Sequence, residues 1–239
     1  MDIKTTPELR ASLREYHSLK SEAGKEDPIQ AAERKLVGRK IDGFFPTPKT
    51  LGKRLIEEAD IRPGMTVLEP SAGKGDLLDV MQEMHGDSVK PHAIEPHSDL
   101  RDVLGQKGHE LVGHDLLQHD QSYDRIVMNP PFEKNADIAH VKHAHGLLNP
   151  GGRMTAIMSA GGGKQREQFD EWLESVGGTS EELPAGSFAG SDAFRSTGVN
   201  TRLVTIDKSE TAAPVERSPE PKSERKPFTP QGVEGAQMG

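Results

Sequence analysis

The chain is organised around one short stretch, Arg125-Ile126-Val127-Met128-Asn129-Pro130-Pro131-Phe132-Glu133. Its apolar, partly β-branched run predicts a buried parallel strand, and the asparagine with two prolines ends that strand abruptly. Asn129 therefore lies at the carboxyl end of a strand, which is where open parallel sheets bind their ligands.

The turn after this strand is stiff, because each proline fixes φ at about −65° and lacks an amide donor. It presents two hydrogen-bond acceptors in one direction, the side-chain oxygen of Asn129 and the carbonyl oxygen of Pro130. A planar amino group carries two N–H donors that suit such a pair, and Phe132 offers a flat face on which a base could stack. An ordinary Asn-Pro turn that closes a strand is the alternative.

Composition predicts one soluble globular domain with flexible ends, since 33% of the 239 residues are hydrophobic and 28% are charged. The absence of cysteine excludes disulfides, thiolate metal sites and cysteine nucleophiles. No apolar run approaches the length of about 18 residues that a membrane span needs, and the N-terminus lacks a signal-peptide core, so a cytoplasmic location is expected. The net charge of −8 argues against indiscriminate nucleic-acid binding by the whole surface.

The two ends of the chain differ from its middle. Residues 1–43 are polar and compatible with helices, which predicts an N-terminal helical segment. Residues 208–239 contain five prolines, alternating charges and almost no apolar side chains, which is typical of a disordered tail. The folded domain is therefore expected between residues 44 and 207.

A glycine-rich loop, Glu69-Pro70-Ser71-Ala72-Gly73-Lys74-Gly75, follows a predicted strand and precedes a predicted helix. Glycines there let the backbone approach a ligand closely and point free N–H groups at it. A third glycine at the spacing of the dinucleotide fingerprint is missing. The acid before the loop suits a ligand that is cationic or carries hydroxyl groups.

Four successive predicted strands end in a polar side chain. In doubly wound folds, the position of Glu95 carries an acid that accepts hydrogen bonds from ribose hydroxyls. Because the carboxyl ends of parallel strands meet at one edge of the sheet, these side chains predict a single ligand site. The four residues are Glu69, Glu95, Asp115 and Asn129.

Three histidines, His140, His143 and His145, lie on a helix predicted over about residues 136–148 and closed by Asn149-Pro150-Gly151-Gly152. Only His140 and His143 share a face, and no third ligand stands at a suitable offset. No metal site is therefore predicted, and the histidines are interpreted as solvated.

Three motifs in this order resemble those of S-adenosylmethionine-dependent amino-methyltransferases with an NPPF motif, in particular the N6-adenine DNA methyltransferases. They are Phe45-Pro46-Thr47-Pro48, the segment from Val67 to Gly75 that contains the glycine-rich loop, and Asn129-Pro130-Pro131-Phe132. The resemblance covers roughly residues 44–207. It implies an α/β fold, a doubly wound, Rossmann-like class I methyltransferase with a mostly parallel seven-stranded sheet. The chain has no equivalent of the separate target-recognition domain of larger family members.

The resemblance also implies roles for individual residues. Thr47 and Pro48 would line the methionine part of S-adenosylmethionine, Glu95 would hold its ribose, and Asp115 with Leu116 would contact its adenine. The loop that wraps the amino-acid end of the cofactor would comprise Glu69, Pro70, Ser71, Ala72, Gly73 and Gly75. The catalytic turn would comprise Asn129, which also borders the cofactor, with Pro130, Pro131 and Phe132.

The implied reaction is methyl transfer from S-adenosylmethionine to an exocyclic amino nitrogen, with N6 of adenine in DNA as the first choice. Adenine N6 in RNA and the glutamine amide of a protein are the enzymatic alternatives, ranked in that order. A catalytically silent cofactor-binding or nucleic-acid-binding module is the alternative outside enzymes. The expected partner is nucleic acid, no membrane partner is expected, and a monomer is compatible with the sequence.

Overall fold

The computed structural model describes residues 29, 32–34, 45–184, 187 and 200–211. Residue 29 and residues 32–34 are helical, and the rest of the predicted N-terminal helical segment lies outside the described residues. The predicted tail lies outside them beyond residue 211. No helix in the described ranges is long and apolar enough to cross a membrane.

Residues 49–207 contain seven strands and five α-helices among the described residues. The strands are β1 (Val67–Glu69), β2 (His92–Ile94), β3 (Glu110–Gly113), β4 (Tyr123–Met128), β5 (Leu148–Ser159), β6 (Thr179–Glu182) and β7 (Thr201–Asp207). The helices are α1 (Lys49–Glu58), α2 (Asp76–His85), α3 (Ser98–Gln106), α4 (Ala136–Gly146) and α5 (Lys164–Ser175). Short 3₁₀ turns follow at Gly86–Ser88, Leu116–Gln118 and Glu133–Asn135.

The seven strands form one sheet in the order β3-β2-β1-β4-β5-β7-β6. Strands β1 to β5 run parallel to one another, whereas β7 runs antiparallel to both β5 and β6. The strand order reverses at β1, which places the switch point between β1 and β4. The predicted doubly wound, mostly parallel seven-stranded sheet is therefore confirmed.

The core lies on both faces of this sheet, because successive strand residues point to opposite sides. On β4, Val127 packs with α1 and α2 residues such as Leu55 and Met81. Ile126 packs on the other face with α4 and α5 residues such as Val141. Burial on both faces explains why β4 reads as a continuous apolar run rather than an alternating one.

The junction of α4 and β5 differs from the prediction. The helix ends at Gly146 and β5 begins at Leu148, so residues 149–152 belong to the strand instead of forming a closing turn. Gly151 has a φ of +74°, and this irregular segment pairs with Lys208 through Gly151 N–H to Lys208 O and Lys208 N–H to Gly152 O. Long-range pairing with the end of β7 thus overrides the local turn signal.

Candidate active site

The four polar strand-end residues come together at one cavity. It has a volume of about 590 Å³ and lies at the carboxyl ends of β1 to β4. Because β3, β2, β1 and β4 are adjacent in the sheet, their ends stand side by side. The cavity is lined by Glu69, Glu95, Asp115 and Asn129, among other residues.

The glycine-rich loop folds against the end of β2. Ala72 N–H donates to the carbonyl oxygen of Ile94 at 3.0 Å, and Gly75 N–H donates to that of Ala72 at 2.8 Å. Gly73 and Gly75 have φ values of +57° and +98°, in the left-handed region that glycine adopts without strain. The loop therefore reaches the cavity as closely packed backbone, and Gly73 lines the cavity wall.

Glu95 anchors this loop through both of its carboxylate oxygens. Oε2 accepts from Gly73 N–H at 2.8 Å, and Oε1 accepts from His97 N–H at 2.7 Å. Burial raises the pKa of Glu95, and the two backbone donors oppose that rise. Each oxygen keeps a second lone pair, so Glu95 can accept from a ligand while it holds the loop.

Glu69 has one carboxylate oxygen engaged and one without a partner. Its Oε1 accepts from Ser71 N–H at 3.0 Å. Its Oε2 and the hydroxyl of Ser71 are buried and have no hydrogen-bond partner among the described residues. Burial raises the pKa of Glu69 well above its ordinary value. Two unsatisfied polar atoms on one cavity wall suit a ligand that brings hydrogen-bond donors to this wall.

Asn129 is held by its side-chain nitrogen. Nδ2 donates to the carbonyl oxygen of Phe45 at 3.1 Å and to Oγ1 of Thr47 at 3.0 Å. Oδ1 is buried and has no partner in the described part of the chain. Both donors of the amide are therefore used within the protein, whereas its acceptor is unused, and Asn129 itself lines the cavity.

Asp76, which the sequence prediction omitted, connects the glycine-rich loop to the extended segment that contains Thr47. Its Oδ2 accepts from Thr47 N–H at 3.2 Å, and its Oδ1 lies 3.1 Å from the Nζ of Lys74. Burial raises the pKa of Asp76, and the nearby Lys74 opposes that rise. An acid directly after Gly75, at the first position of α2, was the signal that could have identified it.

Asp115 caps the 3₁₀ turn Leu116–Gln118, because its Oδ1 accepts from Leu117 N–H at 2.9 Å. Leu116 is buried at 2% exposure and lines the cavity beside it. The predicted adenine end of the site thus combines an exposed carboxylate with an apolar floor.

Four predicted site residues do not line the cavity wall, namely Pro48, Gly75, Pro130 and Phe132. Pro48 precedes α1 and accepts the bond from Gly52 N–H through its carbonyl, and Gly75 sets the entry into α2. The ring of Phe132 is nearly parallel to that of Phe45, with an interplanar angle of 12° and centroids 6.1 Å apart. Phe132 also packs on the core cluster around Val127, so its ring lies against both that cluster and Phe45.

The interpretation of the α4 histidines as solvated is wrong. His140, His143 and His145 are all partly buried, since α4 packs on the sheet. His140 lines the cavity and burial lowers its pKa, whereas His143 Nε2 contacts the carbonyl oxygen of His119 at 2.9 Å. Within the described ranges no three His, Cys, Asp or Glu side chains group as a metal site would require.

Other cavity residues were absent from the predicted site. Several follow a predicted residue directly in the chain, as Pro96 and His97 follow Glu95, so proximity in sequence could have identified them. The additional lining residues are Phe45, Asp76, Leu77, Pro96, His97, Leu100, His114 and His140.

Comparison with curated proteins finds one local similarity. Modification methylase CviBIII from Paramecium bursaria Chlorella virus NC1A is 32% identical over 99 residues, which are 38% of this chain. The aligned part covers 26% of that protein, so the chain matches about a quarter of its relative's length. No protein-family model matches the chain.

Solved structures extend the similarity over most of the fold. The modification subunit of a proposed type I restriction enzyme from Vibrio vulnificus aligns with a TM-score of 0.56 and 17% identity, covering 87% of this chain and 51% of the other. A proposed RNA methyltransferase from Pyrococcus horikoshii aligns with a TM-score of 0.52 and 18% identity, covering 77% of this chain and 100% of the other. The chain therefore has the class I methyltransferase fold, and part of its sequence resembles a modification methylase.

Proposed function

We propose that this chain transfers a methyl group from S-adenosylmethionine to an exocyclic amino nitrogen, and that the acceptor is N6 of adenine in DNA. The observation that carries the proposal is the Asn129 amide, whose two donors are engaged by Phe45 and Thr47 while its oxygen has no partner among the described residues. Asn129 lines the same cavity as the glycine-rich loop. The local similarity to a modification methylase supports the reaction class.

The residues of the cavity fit S-adenosylmethionine. The unpartnered oxygen of Glu69 and the hydroxyl of Ser71 can accept from its ammonium group, and Glu95 can accept from its ribose hydroxyls. Asp115 and Leu116 offer a carboxylate and an apolar wall for the adenine. When bound, the cofactor supplies an electrophilic methyl group on a sulfonium centre.

Asn129 prepares the acceptor nitrogen rather than removing its proton. The lone pair of an aromatic amino group is delocalised into the ring, which makes the nitrogen a poor nucleophile. A hydrogen bond from the amine to Oδ1 draws the nitrogen out of conjugation and stabilises the positive charge that develops on it in the transition state. An amide is not basic at neutral pH, so the released proton passes to water.

The Pro130 carbonyl is the second acceptor in this proposal. In the described part of the chain no backbone hydrogen bond ends on that carbonyl oxygen. Pro130 itself is buried, and the two prolines keep the carbonyl direction fixed relative to Asn129. A planar amine that met both oxygens would be held in one orientation.

A base taken from a duplex must leave its stack, which costs a few kcal/mol. The Phe45 and Phe132 rings are the aromatic surface at the catalytic turn that can offset this cost by stacking. DNA is preferred to RNA and to a protein amide because the Phe45-Pro46-Thr47-Pro48 and Glu69-Pro70 segments resemble those of the DNA enzymes. The catalytic domain is proposed to span residues 44–207 and to act in the cytoplasm.

The test is a methylation assay with labelled S-adenosylmethionine on separate pools of DNA, RNA and protein, followed by mass analysis of nucleosides and amino acids. We expect the DNA pool to yield N6-methyl-2′-deoxyadenosine. Product in the RNA or protein pool alone would show that the proposed substrate is wrong and that the proposed reaction, methyl transfer to an amino nitrogen, is right. Failure to bind the cofactor in calorimetry, with no product in any pool, would overturn the proposal.

A further inference from the structure

We propose that Thr47 is a positioning residue that holds the plane of the Asn129 amide while the oxygen of that amide faces the acceptor amine. This inference rests on the proposed function and deepens it. It assigns the Thr47 hydroxyl to the catalytic amide, in addition to the contact with the methionine part of the cofactor that the sequence implied for this residue.

The two acceptors for Asn129 Nδ2 come from one short extended segment before α1. Thr47 provides its hydroxyl oxygen and Phe45 provides its backbone carbonyl oxygen, at 3.0 and 3.1 Å. A primary amide nitrogen has two N–H groups, one for each of these acceptors. Thr47 is only 9% exposed, so water does not compete freely for its hydroxyl.

The two hydrogen bonds from Asn129 Nδ2 decide the orientation of its amide, because the oxygen and nitrogen ends of an amide have nearly the same shape. A rotation of the Asn129 amide by half a turn would place Oδ1 against the Phe45 carbonyl oxygen, which pairs two acceptors. It would also turn Nδ2 toward the acceptor amine, which pairs two donors. The Phe45 carbonyl can only accept, so it disfavours this flip. The Thr47 hydroxyl holds the second N–H and so fixes the plane of the amide in the orientation that Phe45 selects.

Thr47 is itself anchored to the first residue of α2. Its backbone N–H donates to Asp76 Oδ2 at 3.2 Å, and Asp76 directly follows the glycine-rich loop. The chain of contacts therefore runs from that loop through Asp76 and Thr47 to Asn129. The loop and the catalytic turn lie on different strands, and this contact chain fixes one relative to the other.

The test compares Thr47→Val, which keeps the shape and removes the acceptor, with Thr47→Ser, which keeps the acceptor. Thr50→Val makes the same chemical change on an exposed residue three positions along and serves as the matched control. We expect Thr47→Val to lower the single-turnover methylation rate about tenfold, as the loss of one hydrogen bond supports. Thr47→Ser and Thr50→Val should stay within about twofold of the wild type. Melting temperatures verify that all three variants fold.

Two further readouts separate positioning from a cofactor contact or a structural role. Calorimetry measures how far Thr47→Val changes the affinity for S-adenosylmethionine. A positioning role requires the rate constant at saturating cofactor to fall about tenfold whatever that change is. In ¹⁵N NMR, the side-chain amide signals of Asn129, assigned by their loss in Asn129→Ala, should exchange with water faster in Thr47→Val than in the wild type or Thr47→Ser.

Distinct results contradict the inference and the proposed function. A wild type that methylates its substrate, with Thr47→Val equally fast, overturns the role of Thr47 and leaves the function intact. The role of Thr47 is also overturned, with the function intact, if Thr47→Val loses cofactor affinity and methylation rate in the same proportion. In that case Thr47→Ser would restore neither the affinity nor the rate. If the wild type methylates nothing, the proposed function fails, and the NMR comparison still decides whether Thr47 holds the Asn129 amide.

Discussion

Arg166 donates from Nη2 to Oδ1 of Asp137 at 2.6 Å, and the two side chains are 4% and 0% exposed. Asp137 stands in the first turn of α4, just after the catalytic turn, and its Oδ2 also accepts from Ser159 N–H at the end of β5. This one carboxylate therefore ties α4 to α5 and to β5 behind the proposed catalytic residues.

Asp137→Ala should destabilise the protein strongly, because it leaves the Arg166 charge buried without its partner. Removing one member of a buried ion pair costs about 3–5 kcal/mol. Urea unfolding measures the change in the free energy of unfolding, with Glu171→Ala on the exposed face of α5 as the control. A loss no larger than that of the control would contradict the structural role of the pair.

Asn129→Ala should abolish most methyl transfer and leave the cofactor site nearly intact. The glycine-rich loop, Glu95 and Asp115 belong to other strand ends, whereas Oδ1 of Asn129 is the proposed acceptor for the reacting amine. Losing such a transition-state contact costs about 10²–10³-fold in rate. Single-turnover methylation of adenine-containing DNA, with calorimetry of cofactor binding, checks both parts. Full activity in the variant would refute the mechanism.

Glu95→Ala should weaken cofactor binding more than Asp115→Ala. Each variant removes an acceptor for an uncharged ligand group, worth about 0.5–1.5 kcal/mol. Glu95 also orders the loop through Gly73 N–H and His97 N–H, whereas Asp115 orders only the short turn at Leu117. Calorimetry with S-adenosylmethionine measures both affinities, and unchanged values in both variants would show that the strand ends do not bind the cofactor.

Glu69→Gln should raise the stability of the cofactor-free protein at neutral and alkaline pH. Burial raises the folded-state pKa of Glu69 well above the ordinary 4.5, so the folded protein holds this proton more tightly than the unfolded chain. Stability is then lost as the pH rises from about 4.5 through the folded pKa, and the neutral amide avoids that loss. Between about pH 4.5 and about pH 8, the difference in melting temperature between Glu69→Gln and the wild type should therefore grow with rising pH. Parallel curves would contradict the raised pKa.

A chain that ends at Asp207 should melt below a chain that ends at Thr211. Lys208 pairs with Gly151 and Gly152 through its backbone, and its Nζ donates to the carbonyl oxygen of Leu148 at 2.6 Å. Each bond is worth about 0.5–1.5 kcal/mol, and one kcal/mol shifts the melting temperature by about 2–4 °C in a domain of this size. The full chain is the control. The composition of the tail predicts that the full chain and the chain ending at Thr211 have the same melting temperature.

The order of the elements and the placement of the site at one sheet edge could be predicted from local patterns. Short apolar runs ending in Glu69, Glu95, Asp115 and Asn129 indicate parallel strands, and the carboxyl ends of such strands meet by geometry alone. The junction after α4 could not be predicted, because Gly151 pairs with Lys208, which is far away in the sequence.

What the sequence by itself determined is the set of groups at the site and the strand ends that carry them. Only the tertiary structure decided how those groups are oriented. Asn129 meets Phe45 across 84 positions and Arg166 meets Asp137 across 29, and such pairs form only when helices and loops pack on the sheet. The amide oxygen of Asn129 has no partner among the described residues because that packing engages its nitrogen instead, and no local periodicity carries this information.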